Sequence, residues 1–276
     1  MNFHYFSKNG ELLPVEQAHI SLFNVAYSYG FGVYETIKVR NGTPYFVDQH
    51  VERLEKSAEI IGLEHPYTQE QIKNFIAALL QKHTHIAAGN IKLLLIGAEQ
   101  KEDAQLFILL LSPLFPDRKL YTHGATVITA KYQRIFPNAK TLNMLGSYLA
   151  YKKAKSQGCY DALLLDEESN ILEGTRTNFF AIKNTTIFTP PKEQVLEGVT
   201  RATVIAVAKQ NGFRVEETAI SVKQMETFDG AFLTSTSTKI IPIKQIDDMI
   251  FENIPENVKH VMKLYDTFLD TSGGKL

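Results

Sequence analysis

The chain has 276 residues, of which 44% are apolar and 21% charged, enough for one large domain or two modest ones that each bury a core. Its 29 Lys and Arg against 30 Asp and Glu leave a formal net charge of −1, which provides no electrostatic footprint for nucleic acid or an anionic membrane surface. A single cysteine, Cys159, excludes an internal disulfide and a zinc cluster and fits a reducing, cytoplasmic compartment.

Residues 1–17 lack the charged start and apolar core of a signal peptide. Short strands open the chain, followed by a strand over Gly32 to Arg40, a turn at Asn41-Gly42 and a second strand over Thr43 to Val47. Asn-Gly between two apolar runs is a strong hairpin signal. From Asp48 the period becomes helical, with Val51, Leu54, Ala58 and Ile61 on one face and Gly62 as the stop. Thr68 with Gln71 three residues on predicts a capping box for a second helix that carries Ile72, Phe75, Ile76 and Leu79. Strands around 91–97 and 105–112 close this half; their apolar runs are too short to cross a bilayer.

The stretch 112–124 holds two prolines, several charges and a glycine, and residues 113–124 read as an interdomain linker. The expected domains are therefore 1–112, a small α+β domain, and 125–276, a larger one. Beyond the linker come a strand near 125–131, an apolar helix near 145–157, and paired strands at 160–166 and 171–183. A helix at 199–211 stops at Gly212, strands follow at 213–218, 230–236 and 240–246, and a C-terminal helix starts near Pro255. Residues 271–276, TSGGKL, read as a frayed end. Helices and strands mix without strict alternation, so the fold class is α+β.

Three groups of polar residues interrupt these apolar elements. Arg53 sits early in a helix beside Val51 and Leu54, where a guanidinium can grip a phosphate; pairing with Glu52 or Glu55 is the plain alternative. Lys140 lies between a proline-containing strand end and an apolar helix start, and a lysine in a partly apolar pocket can attack an aldehyde. The third group gathers polar strand ends: Glu173 to Asn178, the helix start at Gly198, Val199 and Thr200, and the hydroxyls of Thr234 to Thr238. Free N–H groups at a helix start and clustered hydroxyls suit an anion, although both are also ordinary caps and turns. Cys159 reads as a buried structural thiol. His83-x-His85 is a weak metal pair with no carboxylate at a telling spacing, so no metal is expected.

Taken in order and spacing, these segments resemble the fold-type IV pyridoxal-5′-phosphate (PLP) enzymes of the class IV aminotransferase family. That family includes D-amino-acid aminotransferase, branched-chain aminotransferase and aminodeoxychorismate lyase. The segments are Gly30 to Thr36; His50-Val51-Glu52-Arg53-Leu54; Lys140-Thr141-Leu142-Asn143; Glu173-Gly174 with Asn178-Phe179-Phe180; Gly198-Val199-Thr200-Arg201; and Thr234-Ser235-Thr236. Together they run from about residue 10 to 250. The resemblance implies two α+β domains with the cofactor in the cleft between them, and a homodimer.

It further implies that Lys140 forms the Schiff base and shuttles the substrate proton, that Glu173 pairs with the pyridine nitrogen, and that Tyr34 faces the substrate. Arg53, the backbone of Val199 and Thr200, and the hydroxyls of Ser235 and Thr236 would cradle the phosphate. The implied reaction moves an amino group from a D-amino acid or a branched-chain L-amino acid to a 2-oxo acid. The alternatives are elimination of pyruvate by a 4-amino-4-deoxychorismate lyase and a non-catalytic PLP binder. Typical D-amino-acid enzymes carry an arginine soon after the strand matching Ile91 to Ile96; here the chain reads Gly97-Ala98-Glu99-Gln100. Arg176, with Lys239, is the expected substitute for binding the substrate carboxylate, with a pairing of Arg176 to Glu197 or Asp166 as the plain alternative.

Overall fold

Residues 3–83, 86–113 and 115–273 are described by the computed structural model of the chain. The chain divides into two compact units, Met1–Leu114 with Ala139–Asn143 and Gly273–Leu276, and Phe115–Asn138 with Met144–Ser272. His85 of the histidine pair and residues 274–276 of the expected frayed end lie outside the described residues.

In the first unit the elements run β1 (Tyr5–Lys8), β2 (Glu11–Pro14), α1 (Val25–Ser28), β3 (Gly32–Arg40), β4 (Thr43–Pro44), α2 (Val47–Ile60), α3 (Gln69–Lys82), β5 (Ala88–Ile96) and β6 (Gln105–Leu111). The six strands form an antiparallel sheet in the order β2-β1-β6-β5-β3-β4. Asn41 and Gly42, both at positive φ, turn β3 into β4 as the hairpin signal predicts. Strand period 2 buries Val33, Ile37 and Val39 on one face of β3, where they meet Val51, Leu54 and Ala58 of α2 and Ile72, Ile76 and Leu79 of α3. Each such side chain, fully withdrawn from water, contributes about 1.5–3 kcal/mol. The same alternation carries Glu35 onto the buried face.

The capping box is present: Thr68 accepts from the Gln71 backbone and Gln71 accepts from the Thr68 backbone. His83 ends α3 as a structural residue, its Nε2 accepting from the backbone of His4 and Tyr5 and its Nδ1 placed 3.0 Å from the Leu79 carbonyl.

The second unit contains α4 (Lys119–His123), β7 (Ala125–Lys131), α5 (Leu145–Ser156), β8 (Asp161–Leu165), β9 (Ile171–Gly174), β10 (Asn178–Lys183), β11 (Thr186–Thr189), α6 (Val199–Gln210), β12 (Arg214–Glu217), β13 (Gly230–Ser235), β14 (Lys239–Ile246), β15 (Met249–Ile250) and α7 (Glu256–Ser272). Its strand order is β12-β11-β10-β13-β14-β7-β8-β9, with β15 on β14. Because β9 also pairs with β10, the strands from β10 to β9 close into a ring, and Phe179, Ala181, Leu163, Leu233 and Ile241 fill its core.

Several expectations from the sequence change. The stretch 171–183 is not one strand, because Thr175 and Thr177 leave the ladder to bind Asp161. Residues 139–143, expected in the second domain, cluster with the first unit. They lie along β3, with Val33 bridged to Thr141, the Tyr34 N–H on the Lys140 carbonyl and the Leu142 N–H on the Gly32 carbonyl. The expected linker also carries a helical turn, α4. Cys159 is buried among Ile128, Ala154 and Leu164, where burial raises its thiol pKa. No described helix is long and apolar enough to cross a membrane.

Candidate active site

In the first unit the site begins with Glu35, which has no exposed surface. Its carboxylate takes Arg53 Nε at 2.6 Å on one oxygen, and Arg53 Nη2 and His50 Nδ1, each at 2.8 Å, on the other. Burial alone would raise its pKa, but Arg53 and His50 outweigh burial and hold it well below the ordinary carboxylate value. His50 is itself 1% exposed; burial lowers its pKa below the usual imidazole value, so it is neutral. Its Nδ1 therefore carries the proton that Glu35 accepts, and its buried Nε2 has no protein partner. Local spacing suggested Glu52 or Glu55 as the partner of Arg53; the buried partner is Glu35, 18 residues away.

Lys140 is held from several sides in this unit. Its N–H donates to Ser57 Oγ at 3.1 Å, and Ser57 in turn donates to the Arg53 carbonyl. The half-buried Nζ stands 4.5 Å from the ring centroid of Tyr34. Arg53, Tyr34 and Lys140, three of the residues singled out in the sequence, are thus gathered around β3 and α2.

In the second unit the polar strand ends stand in register. Glu173 pairs with Asn178, and Asn178 with Thr234, across β9, β10 and β13. Glu173 Oε1 receives Arg134 at 2.8 Å from Nε and 2.7 Å from Nη2, and Oε2 accepts the Leu196 N–H at 3.3 Å. Arg134 escaped the sequence reading because nothing in the pattern around 131–137 separates it from a solvated arginine.

Asn178 donates to the Leu196 carbonyl at 2.7 Å and fixes the approach to α6. A side chain at Gly198 would collide with Asn178 Oδ1, so only glycine fits. The N-terminus of α6 has no side-chain cap, although Val199, Thr200 and Arg201 are all buried. Thr234 Oγ1 is buried without a protein partner. The uncapped N–H groups at the start of α6 and the orphaned Thr234 hydroxyl, each beside Asn178, are donors of the kind a phosphate group takes.

The turn between β9 and β10 is built on Asp161, which is fully buried and accepts from the Thr175 and Thr177 hydroxyls and from the Ala162 and Thr175 N–H groups. Burial raises its pKa against these bonds and the charge of Arg176. Arg176 projects from that turn, exposed, its guanidinium 4.1 Å from the Tyr151 ring centroid. The contact that orders it is stacking on Tyr151, a partner the sequence did not suggest. Lys239, expected beside it, instead pairs with Asp266 at 2.5 Å. Arg201 is a structural residue, buried on Glu217 and the Pro190 carbonyl. Among the described residues no His, Cys, Asp and Glu cluster could hold a metal ion.

The sequence profile described as Amino-transferase class IV matches residues 32–246. A probable branched-chain-amino-acid aminotransferase of Rickettsia bellii is 32% identical over 257 residues, covering 89% of this chain and 88% of the relative. A D-alanine aminotransferase of Bacillus licheniformis is 28% identical over 247 residues, covering 87% of both. Among solved structures, the branched-chain aminotransferase of the thermophilic archaeon Thermoproteus uzoniensis with norvaline superposes with a TM-score of 0.88 at 25% identity, covering 98% of this chain and 95% of that one.

The buried Glu35 cluster generates an acid-stability prediction. Glu35 titrates below its ordinary 4.5, so its contribution is complete above that pH and is lost as pH falls toward the depressed value. Glu35→Gln should cost roughly 3 kcal/mol at neutral pH, because Arg53 loses its buried counter-charge. Its stability should also fall less steeply than the wild type's below pH 4.5. Urea unfolding across that range checks both; parallel profiles would contradict the assignment.

Proposed function

The chain belongs to the class IV aminotransferase family, and from that premise we propose that it moves an amino group between an α-amino acid and a 2-oxo acid with PLP as cofactor. The observation that carries this reading is Lys140, braced at its backbone by Ser57 and Tyr34 with its Nζ against the Tyr34 ring. The relatives and the structure reported above are named aminotransferases, which gives no support to the lyase alternative. Retention of Lys140, Glu173 and Arg53 together argues against a non-catalytic binder.

When bound, PLP supplies a protonated pyridine ring that accepts electron density from the substrate Cα. Lys140 Nζ holds the cofactor and, once released, moves the proton at Cα. Glu173, kept anionic by Arg134, keeps the pyridine nitrogen protonated. The Val199 and Thr200 N–H groups, Ser235, Thr236 and Arg53 bind the phosphate. Glu35 already directs the Arg53 fork, so the guanidinium is ordered before the anion arrives. Tyr34 presents its phenol on the substrate side.

The donor is a D-amino acid or a branched-chain L-amino acid whose carboxylate Arg176 binds. The pairing of Lys239 with Asp266 leaves Arg176 as the leading cation for this task. The lone buried thiol fits a cytoplasmic location. A homodimer accounts for the exposed apolar side chains Leu22, Phe23, Val25 and Tyr29, all within one short segment of the first unit. Sedimentation equilibrium should return a dimer, and Leu22→Asp with Phe23→Asp a monomer; a monomeric wild type would refute this.

The half-reaction tests the activity. Wild type loaded with PLP should convert it to pyridoxamine phosphate on addition of D-alanine or L-leucine, and the responding enantiomer defines the donor class. Arg176→Ala should raise the half-saturating donor concentration roughly tenfold or more while PLP stays bound. Unchanged saturation would remove Arg176 from the carboxylate site, and silence toward every amino acid would overturn the reading.

A further inference from the structure

Two tyrosines from different elements converge on one threonine in the turn between β13 and β14. Tyr121 of α4 donates its hydroxyl to the Thr238 carbonyl at 3.0 Å. Tyr160, at the entry to β8, donates to Thr238 Oγ1 at 3.3 Å. Ser235 Oγ lies 2.8 Å from Thr238 Oγ1 and accepts the Thr238 N–H at 3.2 Å. The following residue, Lys239, takes a positive φ of 59°, unusual for a side chain of its size, and is tethered to Asp266 of α7. A loop serving only as a reversal between two strands would not require anchors from α4, β8 and α7.

The direction of the bonds follows from the chemistry of a hydroxyl, which has one proton to give and two lone pairs to fill. Burial raises the phenol pKa of both Tyr160 and Tyr121, so each keeps its proton and acts as a donor. The 2.8 Å contact lets either hydroxyl donate; the inferred relay is the one in which Thr238 Oγ1, accepting from Tyr160, gives its own proton to Ser235. Ser235 Oγ then accepts twice from Thr238, once from the hydroxyl and once from the N–H. Both of its lone pairs are engaged, and the one valence left to it is its proton. A serine in that state can donate outward but cannot accept, which suits it to an oxyanion and makes it a poor partner for a neutral donor.

We propose that Thr238, polarised by Tyr160, is a positioning residue that fixes the Ser235 hydroxyl as an outward-pointing donor for the phosphate of the cofactor. This rests on the reading of Ser235 as part of the phosphate cradle. Thr238 touches neither substrate nor cofactor in this scheme; it acts through Ser235. The relay is completed without the ligand, so no rotor freedom is lost from Ser235 on binding.

The test compares equilibrium binding of PLP with that of pyridoxal, which lacks the phosphate, to the apoprotein. Thr238→Val keeps the shape and removes the hydroxyl, Tyr160→Phe removes the polarising donor, and Thr238→Ser restores the hydroxyl. Thr238→Val and Tyr160→Phe should each weaken PLP about tenfold and leave pyridoxal within about twofold. Thr238→Ser should return the wild-type preference for PLP. The proposal is overturned if either of the first two variants keeps the wild-type ratio, or if it loses both ligands equally, as a merely structural role would require. Should Thr238→Val fail to fold, Tyr160→Phe still decides. A wild type that binds both ligands equally would overturn the phosphate placement itself, and the relay with it.

Discussion

A carboxylate with no contact to water must be surrounded by donors or give up its charge, and Glu35 meets this condition by organising everything near it. Strand alternation carries Glu35 onto the core face of β3 among Val33, Ile37 and Val39. The fork of Arg53, the Nδ1 proton of His50 and the Thr36 N–H make an anion tolerable there. The consequences spread outward. Arg53 is locked in orientation, its carbonyl takes the Ser57 hydroxyl, and Ser57 takes the backbone of Lys140. The placement of Lys140 therefore traces back to one buried charge on the neighbouring strand.

The second unit solves a parallel problem with Asp161. It too is fully buried, but it is satisfied by hydroxyl and backbone donors and not by a cation pair. Most of those donors belong to the turn after Glu173, so the acid fixes both Glu173 and the exposed Arg176. A side chain at Gly174 would strike Asp161 and Thr177, which explains why the motif needs glycine immediately after its glutamate. Each unit thus carries a fully buried acid, Glu35 or Asp161, that shapes the segment through which the chain is proposed to act.

Much of this was legible in the sequence, and the part that was not has a common cause. The Asn41-Gly42 hairpin, the Thr68 capping box and the amphipathic α2 and α3 follow from local periodicity and turn chemistry. The segments holding Lys140, Glu173 and Gly198 were found through their order along the chain. Partners far apart in sequence left no local mark: Arg53 looked toward Glu52 and Glu55 but bonds Glu35, Glu173 acquires Arg134, and Lys239 turns to Asp266. The assignment of residues 139–143 failed for the same reason, since those residues pair with β3 across more than a hundred positions. Local pattern predicts which groups are polar at strand ends; closure of the sheet decides which of them meet.

The central claim is that Lys140 holds the cofactor, and one measurement addresses it without dependence on substrate. The protein loaded with PLP is reduced with sodium borohydride, digested and mapped by mass spectrometry. The account predicts a phosphopyridoxyl group on the peptide containing Lys140. A stable label on another lysine, or none at saturating PLP, would contradict it.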